Sequence, residues 1–388
     1  NLTVADTSQS QSIWQDTYQG GKPVFKKVDF SLDAPENYTL ASGGYLNWAF
    51  DFGGGLFTGE LGLRLDHAAV WNKDVAINTA PTFDPRLRLA LTPLRNLEGL
   101  DSLTFTVGSG LYAQVDGLSN MLDKKFGVTS ENYLPTRSWF SVAGIEAQLV
   151  DGWKISAEGY YKYYFNRLYL MYDNRSTPTS FLVKTDGTGW AAGADLMIQK
   201  RLSRYWDGWL TYGFLNARYI NPAKPLYDGQ TTTNGELLDK EYYPTWHRFH
   251  TLNLISDWKP IDGFSVMAKF SLATGAPKPK VGKVTSYAAF LEDGTMIERF
   301  TRTTEYSDTD RNELSCPLDL KLTWSGYLGS GKINWQFYIG VENVLANIYT
   351  PKSNTSFDSW YGQESKDGMS ADFNIGFPIP SIGFKLSY

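Results

Sequence analysis

Apolar and polar residues take turns along stretch after stretch of this chain. In 57–66, Phe57, Gly59, Leu61, Leu63 and Leu65 fall on one face, and Thr58, Glu60, Arg64 and Asp66 on the other. In 153–162, Trp153, Ile155, Ala157 and Tyr161 oppose Lys154, Ser156, Glu158 and Lys162; in 264–271, Phe264, Val266, Ala268 and Phe270 oppose Ser265, Lys269 and Ser271. The pattern returns in 318–324 and 335–339, and it closes the chain with Ile382, Phe384, Leu386 and Tyr388. Successive side chains of a strand point to opposite faces, so a period of two predicts strands with one apolar and one polar side. A soluble sandwich of two sheets would alternate in the same way.

The connections separate the two folds. Short links carry turn residues: Gly53-Gly54-Gly55, Asp151-Gly152, Lys259-Pro260-Ile261-Asp262-Gly263 and the run 326–331. Between them lie long polar stretches near 66–84, 112–138, 166–187, 218–247, 273–314 and 345–380. Short and long alternate strictly, which is the order of an up-and-down transmembrane barrel with short periplasmic turns and long extracellular loops. A sandwich has no reason to keep it. The fold class expected is therefore all-β, a transmembrane antiparallel up-and-down β-barrel.

The alternation places about thirteen strands, near 44–52, 57–66, 85–92, 102–111, 139–149, 153–165, 188–200, 208–218, 248–258, 263–272, 317–325, 332–342 and 380–388. Single-chain bacterial barrels have even strand numbers. Either earlier strands are missing or residues 1–40 hide a fourteenth. Those residues alternate poorly, so 1–40 is expected to be an extracellular loop or incomplete strand region, and 41–388 the barrel strands with their turns and loops. Missing strands are the preferred account.

Composition agrees. Apolar content is 42%, and no run approaches the roughly 18 apolar residues of a membrane helix. Aromatic content is 15%, as girdles at two membrane interfaces require. Net charge is −5, so no nucleic-acid partner is expected. A lone Cys316 can neither form an intrachain disulfide nor complete a thiolate metal site, and is expected simply to pack. Residues 1–20 lack the basic and apolar regions of a signal peptide, which points to a processed or truncated start.

Several segments, in order, resemble the second half of the barrel of TonB-dependent receptors. Phe83-Asp84-Pro85-Arg86-Leu87-Arg88-Leu89 is similar to a strand opening of that family, and 132–145 (NYLPTRSWFSVAGI), ending in Gly144-Ile145-Glu146, to its "LKPE" segment. Thr136 and Arg137 replace the usual acidic residue there. The stretch 153–169 (WKISAEGYYKYYFNRLY) resembles its aromatic hairpin strand, and 189–202 (GWAAGADLMIQKRL) the next strand with a small-residue start. Tyr243-Pro244 through Arg248-Phe249-His250-Thr251-Leu252-Asn253 resembles a further strand entry, and Val341-Glu342-Asn343-Val344-Leu345-Ala346-Asn347 the exit before the last loop. The aromatic C-terminal Tyr388 is similar to an outer-membrane insertion signal.

This resemblance implies part of a 22-stranded barrel in the bacterial outer membrane. It implies uptake of a scarce nutrient: a metal chelate, haem, a vitamin, an oligosaccharide or a peptide. It implies as partners outer-membrane lipid, the TonB complex through a plug domain not found among these residues, and a surface lipoprotein. A passive 14-stranded pore and a surface adhesin are the alternatives.

Catalytic chemistry finds no foothold in the residues. His247 and His250 lie three apart, which on a strand sends them to opposite faces, and His67 is remote, so no metal site is expected. Gly108-Ser109-Gly110 lacks the setting of a nucleophile elbow, and no phosphate- or dinucleotide-binding motif appears. Acids such as Glu146 and Glu158 are expected to be solvated lumen groups. No enzyme activity and no cofactor are expected. Binding is better served: aromatic faces stack on sugars, catecholates and haem, and bury area at low entropic cost. The candidates are Tyr242, Tyr243 and Trp246 in one long loop and Trp360 and Tyr361 in the last, against the plainer role of an interfacial girdle. Lys278, Lys280 and Lys283 are expected to be a solvated face before an anion site.

Overall fold

A computed structural model describes the chain except for residues 1, 6–8, 20–21, 33–35, 116–132, 174–179, 202–203, 227–229, 231, 234, 330–332, 346–355, 359–362, 366–377 and 388; it describes the backbone alone at 2–5, 9–19, 28–32, 172–173, 180, 279–283, 301–309, 356–358 and 363–365. Fourteen strands form one continuous antiparallel wall. They are β1 (Leu2–Ala5), β2 (Asn37–Phe52), β3 (Phe57–Trp71), β4 (Thr82–Leu97), β5 (Leu100–Gln114), β6 (Thr136–Leu149) and β7 (Trp153–Asp173). The wall continues with β8 (Ser180–Lys200), β9 (Trp206–Ile220), β10 (His250–Ile261), β11 (Phe264–Ala273), β12 (Leu318–Leu328), β13 (Ile333–Glu342) and β14 (Ile379–Ser387). Each pairs with its sequence neighbour. All thirteen strands expected from the alternation are there, as β2 to β14.

Register explains the two faces. Leu210 pairs with Leu254 and Leu254 with Phe270, so one row of three strands is apolar on the outside. The neighbouring inner row is Thr211, Asn253 and Ser271. Leu61, Leu65, Leu196, Leu254 and Ile339 are exposed on the outer face, an arrangement that costs little only in lipid. The inner face is a mosaic of paired charges: Glu146 with Lys154 at 2.6 Å, Lys269 with Asp319 at 3.5 Å, and Lys259 with both Asp207 and Asp257. Aromatic rings ride the outer face at both rims. Near the short turns Trp153 meets Trp206 at 5.9 Å, and Trp324 meets Phe264 at 5.2 Å and Phe337 at 5.8 Å. Towards the long loops, Trp139 stands in register with Tyr163, which stacks on Phe165 at 6.4 Å. These are the interfacial girdles.

The short turns are tight because their backbone is left-handed. Gly53, Gly54 and Gly55 have φ of 67°, 58° and 87°, and a glycine reaches that region at no steric cost.

Above the membrane the structure departs from the pattern. β7 and β8 each run 21 residues, against roughly 9–11 needed to cross, and so fill most of the stretch expected as loop at 166–187. Past the bilayer the outer face need not be apolar, so the hydrophobic period fades while backbone pairing continues. Residues 1–40 contain more strand than their weak alternation suggested. β1 pairs with 37–40 at the start of β2, and Gln9–Gln19 pairs with Lys22–Leu32 as a hairpin. A second hairpin, Pro277–Phe290 with Met296–Arg311, fills the long stretch after β11.

Two edges stay open. Among the described residues, neither 42–52 of β2 nor the far side of β14 has a partner strand, and Tyr45 is 79% and Ile382 70% exposed there. Cys316 is buried and free beside β12, in the packing role expected.

Candidate functional site

Three of the five aromatic candidates fall in the connection between β9 and β10. Trp360 and Tyr361 lie outside the described residues, as does Tyr388. The site is built on one cross-strand row. Tyr164 of β7 pairs with Gly189 of β8, Gly189 with Tyr219 of β9, and Tyr219 with Tyr242 on the returning loop. Gly189 carries no side chain, and a Cβ there would stand 2.2 Å from the Tyr219 ring. Its neighbours therefore meet over it: the Tyr164 and Tyr219 rings are 5.6 Å apart, edge to face. That is the physical content of the small-residue start at 189. Tyr242 then meets Tyr219 at 6.3 Å, and Trp246 meets it at 6.0 Å.

A cation joins this cluster through a break in the alternation. Strict alternation would send Arg167 outward with Phe165. Asn166 instead has φ of 56°, and the pairing of β7 with β8 shifts on both sides of Arg167. Such a bulge re-aims a side chain. The Arg167 guanidinium lies 3.5 Å over the Tyr219 ring and 3.7 Å from Glu236.

Hydrogen bonds pin the loop onto the strand ends. Asn221 donates to the Leu237 carbonyl at 3.0 Å and to the Tyr242 hydroxyl at 3.1 Å. Tyr169 donates to Asp186 at 2.8 Å and accepts from the Ala223 amide at 3.2 Å. Burial, helped by Glu236, pushes the Tyr242 phenol well above its usual range, so it stays neutral. These bonds tie the described residues of the loop to the strand ends as a platform.

The three sequence candidates separate on this platform. Tyr242 is 2% exposed and serves as its floor. Trp246 is 50% exposed, its ring roughly perpendicular to that of Tyr219. Tyr243 points the other way, as its place next to Tyr242 demands. Arg218 lies 3.5 Å over its ring and donates to its hydroxyl at 2.8 Å, while Arg311 lies 4.7 Å from the same ring. Arg311 also donates to His247 Nδ1 at 3.1 Å and stacks 4.2 Å from Phe249. His247 is fully buried, and that burial, with Arg311 and Arg218 beside it, holds its imidazole down to about 4. His250 lies on the outer face with Tyr212 Oη 2.8 Å from its Nδ1, and the Phe249 ring stands between the histidines, 4.6 Å from His247 and 6.3 Å from His250. Lys278 is exposed, as a solvated face would be; the side chains of Lys280 and Lys283 lie outside the described residues.

Sequence reasoning missed Arg167 and Glu236 and placed no weight on Tyr164. Only the strand register could have found Tyr164, two strands from Tyr219 across a glycine. Nothing periodic announces a bulge. Chemically the cluster offers a ring face, a cation held on a second ring and a carboxylate, which is a set for stacking and orienting a bound molecule.

No protein-family model matches the chain, and no curated protein matches it in sequence. Solved structures do match in fold. The outer membrane transporter YddB from Escherichia coli superposes with a TM-score of 0.54 at 11% identity, covering 89% of this chain and 46% of that one. The copper transporter OprC gives 0.52 at 13% identity, covering 96% and 52%. The FrpB iron transporter from Neisseria meningitidis (F3-3 variant) gives 0.52 at 13%, covering 81% and 42%. The chain thus spans between a third and about half the length of the structures it resembles. It has the antiparallel β-barrel fold of outer-membrane receptors and transporters, the fold that its resemblance to TonB-dependent receptors implies.

Proposed function

We propose that this chain is part of the barrel of an outer-membrane receptor that takes up a scarce nutrient, with the energy delivered through TonB to a plug seated in the lumen. The observation that carries the reading is the two-faced wall: apolar outside between two aromatic girdles, and charged in balanced pairs inside. A lumen lined with both signs suits a packed plug better than a pore selecting one sign of ion. In lipid no strand edge can stay unpaired. The open edges of β2 and β14 therefore call for further strands, as in a 22-stranded barrel. A 14-stranded passive pore would lean on β1, whose 4 residues fall short of the roughly 9–11 a crossing strand uses.

Ligand capture is assigned to the rim platform, with Trp246 stacking, Tyr242 and Tyr243 holding the loop on its two sides, and Trp360 and Tyr361 contributing from the last loop. The cargo class stays as broad as iron or copper chelates, haem, vitamins, oligosaccharides and peptides; the likeness to iron and copper transporters favours chelated metal. Surface lipoprotein and outer-membrane lipid are the remaining partners. The test is growth of a strain lacking the whole protein on each of these sources as sole supply. Loss on one source, restored by the wild-type gene but weakly by Trp246→Ala, and abolished without TonB, is the expected result. Equal growth on every source would sink the reading, and rescue that ignores TonB would favour the passive pore.

A further inference from the structure

The inner face neutralises many of its cations: Arg64 pairs with Asp66, Lys154 with Glu146, Lys259 with Asp207 and Lys269 with Asp319. On one stretch of wall two cations rest on rings instead. Arg86 of β4 lies 4.3 Å over the ring of Tyr112. Lys162 of β7 lies 4.9 Å over that of Phe140 and 5.7 Å over that of Tyr160. Among the described residues neither cation makes an ion pair or a side-chain hydrogen bond. Lys162 acts on Asp195 through space, but the two do not pair. Lys321 rests likewise on Tyr338, 4.2 Å away, yet its register row includes Asp257.

Register puts the two in one inner row: Arg86 pairs with Gly110, Gly110 with Phe140, and Phe140 with Lys162. Their backbones are three strand spacings apart, about 14 Å at ~4.8 Å each. Gly110 leaves the space between them open. A Cβ there would stand 2.9 Å from Arg86 Cγ, so the arginine stem lies across the glycine towards Tyr112. The Tyr112, Phe140 and Tyr160 rings follow one another at 6.2 and 6.3 Å and form a floor. The row above runs from Tyr112 through Ser138 to Tyr164 and on to Tyr219, so this shelf begins where the rim platform ends. Two rows below Lys162 the sign reverses, where Glu158 and Asp195 face each other in register. A cation on a ring face keeps its charge, whereas one in an ion pair is neutralised. A guanidinium matches a carboxylate with two parallel donors, an ammonium adds a compact second charge, and ring faces between them accept a flat molecule.

We propose that Arg86 and Lys162 hold a ring-bearing carboxylate solute part-way down the lumen wall, over the floor of Tyr112, Phe140 and Tyr160. The proposal rests on the lumen being the path of uptake named above. Its test reads one lysine, with neither growth nor TonB, so the two can fail separately. The probe is isophthalate, a flat ring with two carboxylates, and its neutral control is isophthalamide. In the full-length protein in detergent, acetylation of Lys162 by an N-hydroxysuccinimide ester is followed by peptide mass spectrometry. At about 10 mM isophthalate, a site with a dissociation constant of ~1 mM should slow that acetylation about tenfold. Isophthalamide should leave it unchanged, and Lys154, already paired with Glu146, should ignore both. Arg86→Gln should reduce the protection of Lys162 to less than about twofold, and Arg86→Lys, which keeps the charge, should retain most of it. No protection of the wild type, equal protection by isophthalamide, or full protection in Arg86→Gln overturns the proposal. So does a Lys162 that resists acetylation from the outset and reacts only when urea clears the lumen, because the pair would then belong to a carboxylate of the plug.

Discussion

The lower and upper parts of β7 follow different rules. From Trp153 to Tyr164 every side chain takes its side from the medium beyond it: Trp153, Ile155 and Tyr161 face outward, Lys154, Glu158 and Lys162 inward. Past Asn166 the medium on both sides is water. Arg167 turns inward on a bulge to reach Tyr219, and Tyr169 buries itself to hold Asp186 and the Ala223 amide. The bilayer dictates the wall row by row, while at the rim each residue answers to its partners. One region is therefore governed by a global constraint, the other by contacts that can be changed singly.

The comparison breaks first, and with the largest effect, on the wall. Leu210 lies midway between Trp206 and Phe214, in register with Leu254. Leu254→Arg should cost about 2–4 kcal/mol in unfolding from lipid vesicles, the toll of a cation near mid-bilayer. Asn253→Arg, one residue away on the lumen side, should cost little. Equal losses would mean the faces have been misassigned.

Acid should separate the two regions next. The imidazole of His247 is held down to about 4 in the folded rim, against about 6.5 for an exposed histidine. Between those values the unfolded loop binds a proton that the folded loop refuses, so rim stability is full above pH 6.5 and is lost as pH falls towards 4. Limited proteolysis of 221–249 should accelerate more than tenfold across that window, since one pKa unit of difference is worth about 1.4 kcal/mol. The heat-shifted gel mobility of the wall should not move. His247→Gln should flatten the response; an unchanged response would assign it to another group.

The smallest effect sharpens the rule at the boundary itself. Asn166→Ala forces a Cβ without a side-chain amide into the left-handed region and should cost about 1 kcal/mol. Asn166→Gly should be neutral. Hydrogen exchange at 219–242 should rise in the first and not in the second; a rise in both would show that the asparagine side chain, not its backbone angle, holds the bulge.

This difference also explains what the amino-acid sequence disclosed. Leu61, Ile155 and Phe270 had to be outside, so hydrophobic period alone placed β2 to β14. It lost the upper ends of β7 and β8 because water imposes no such period, and it passed over the hairpin in 9–32 for the same reason. At the site, composition pointed to Tyr242, Tyr243 and Trp246, but Tyr242 and Tyr243 pack against different partners, and of the three only Trp246 is exposed. Arg167 depends on a bulge and Tyr164 on a glycine one strand away. Both are facts of pairing, which a linear pattern does not carry.

Because each wall strand from β2 onward pairs with the next one in the chain, across long connections as well as short turns, register is held by the wall itself and not by the length of a loop. Lengthening a long loop shifts no pairing below it, and doubling its length adds only about 0.6 kcal/mol of closure entropy. Heredity can thus edit the two ends of this molecule at unequal rates. The turns must be copied faithfully, while the rim is free to drift, lengthen and be exchanged, so the same wall can come to carry unlike rims.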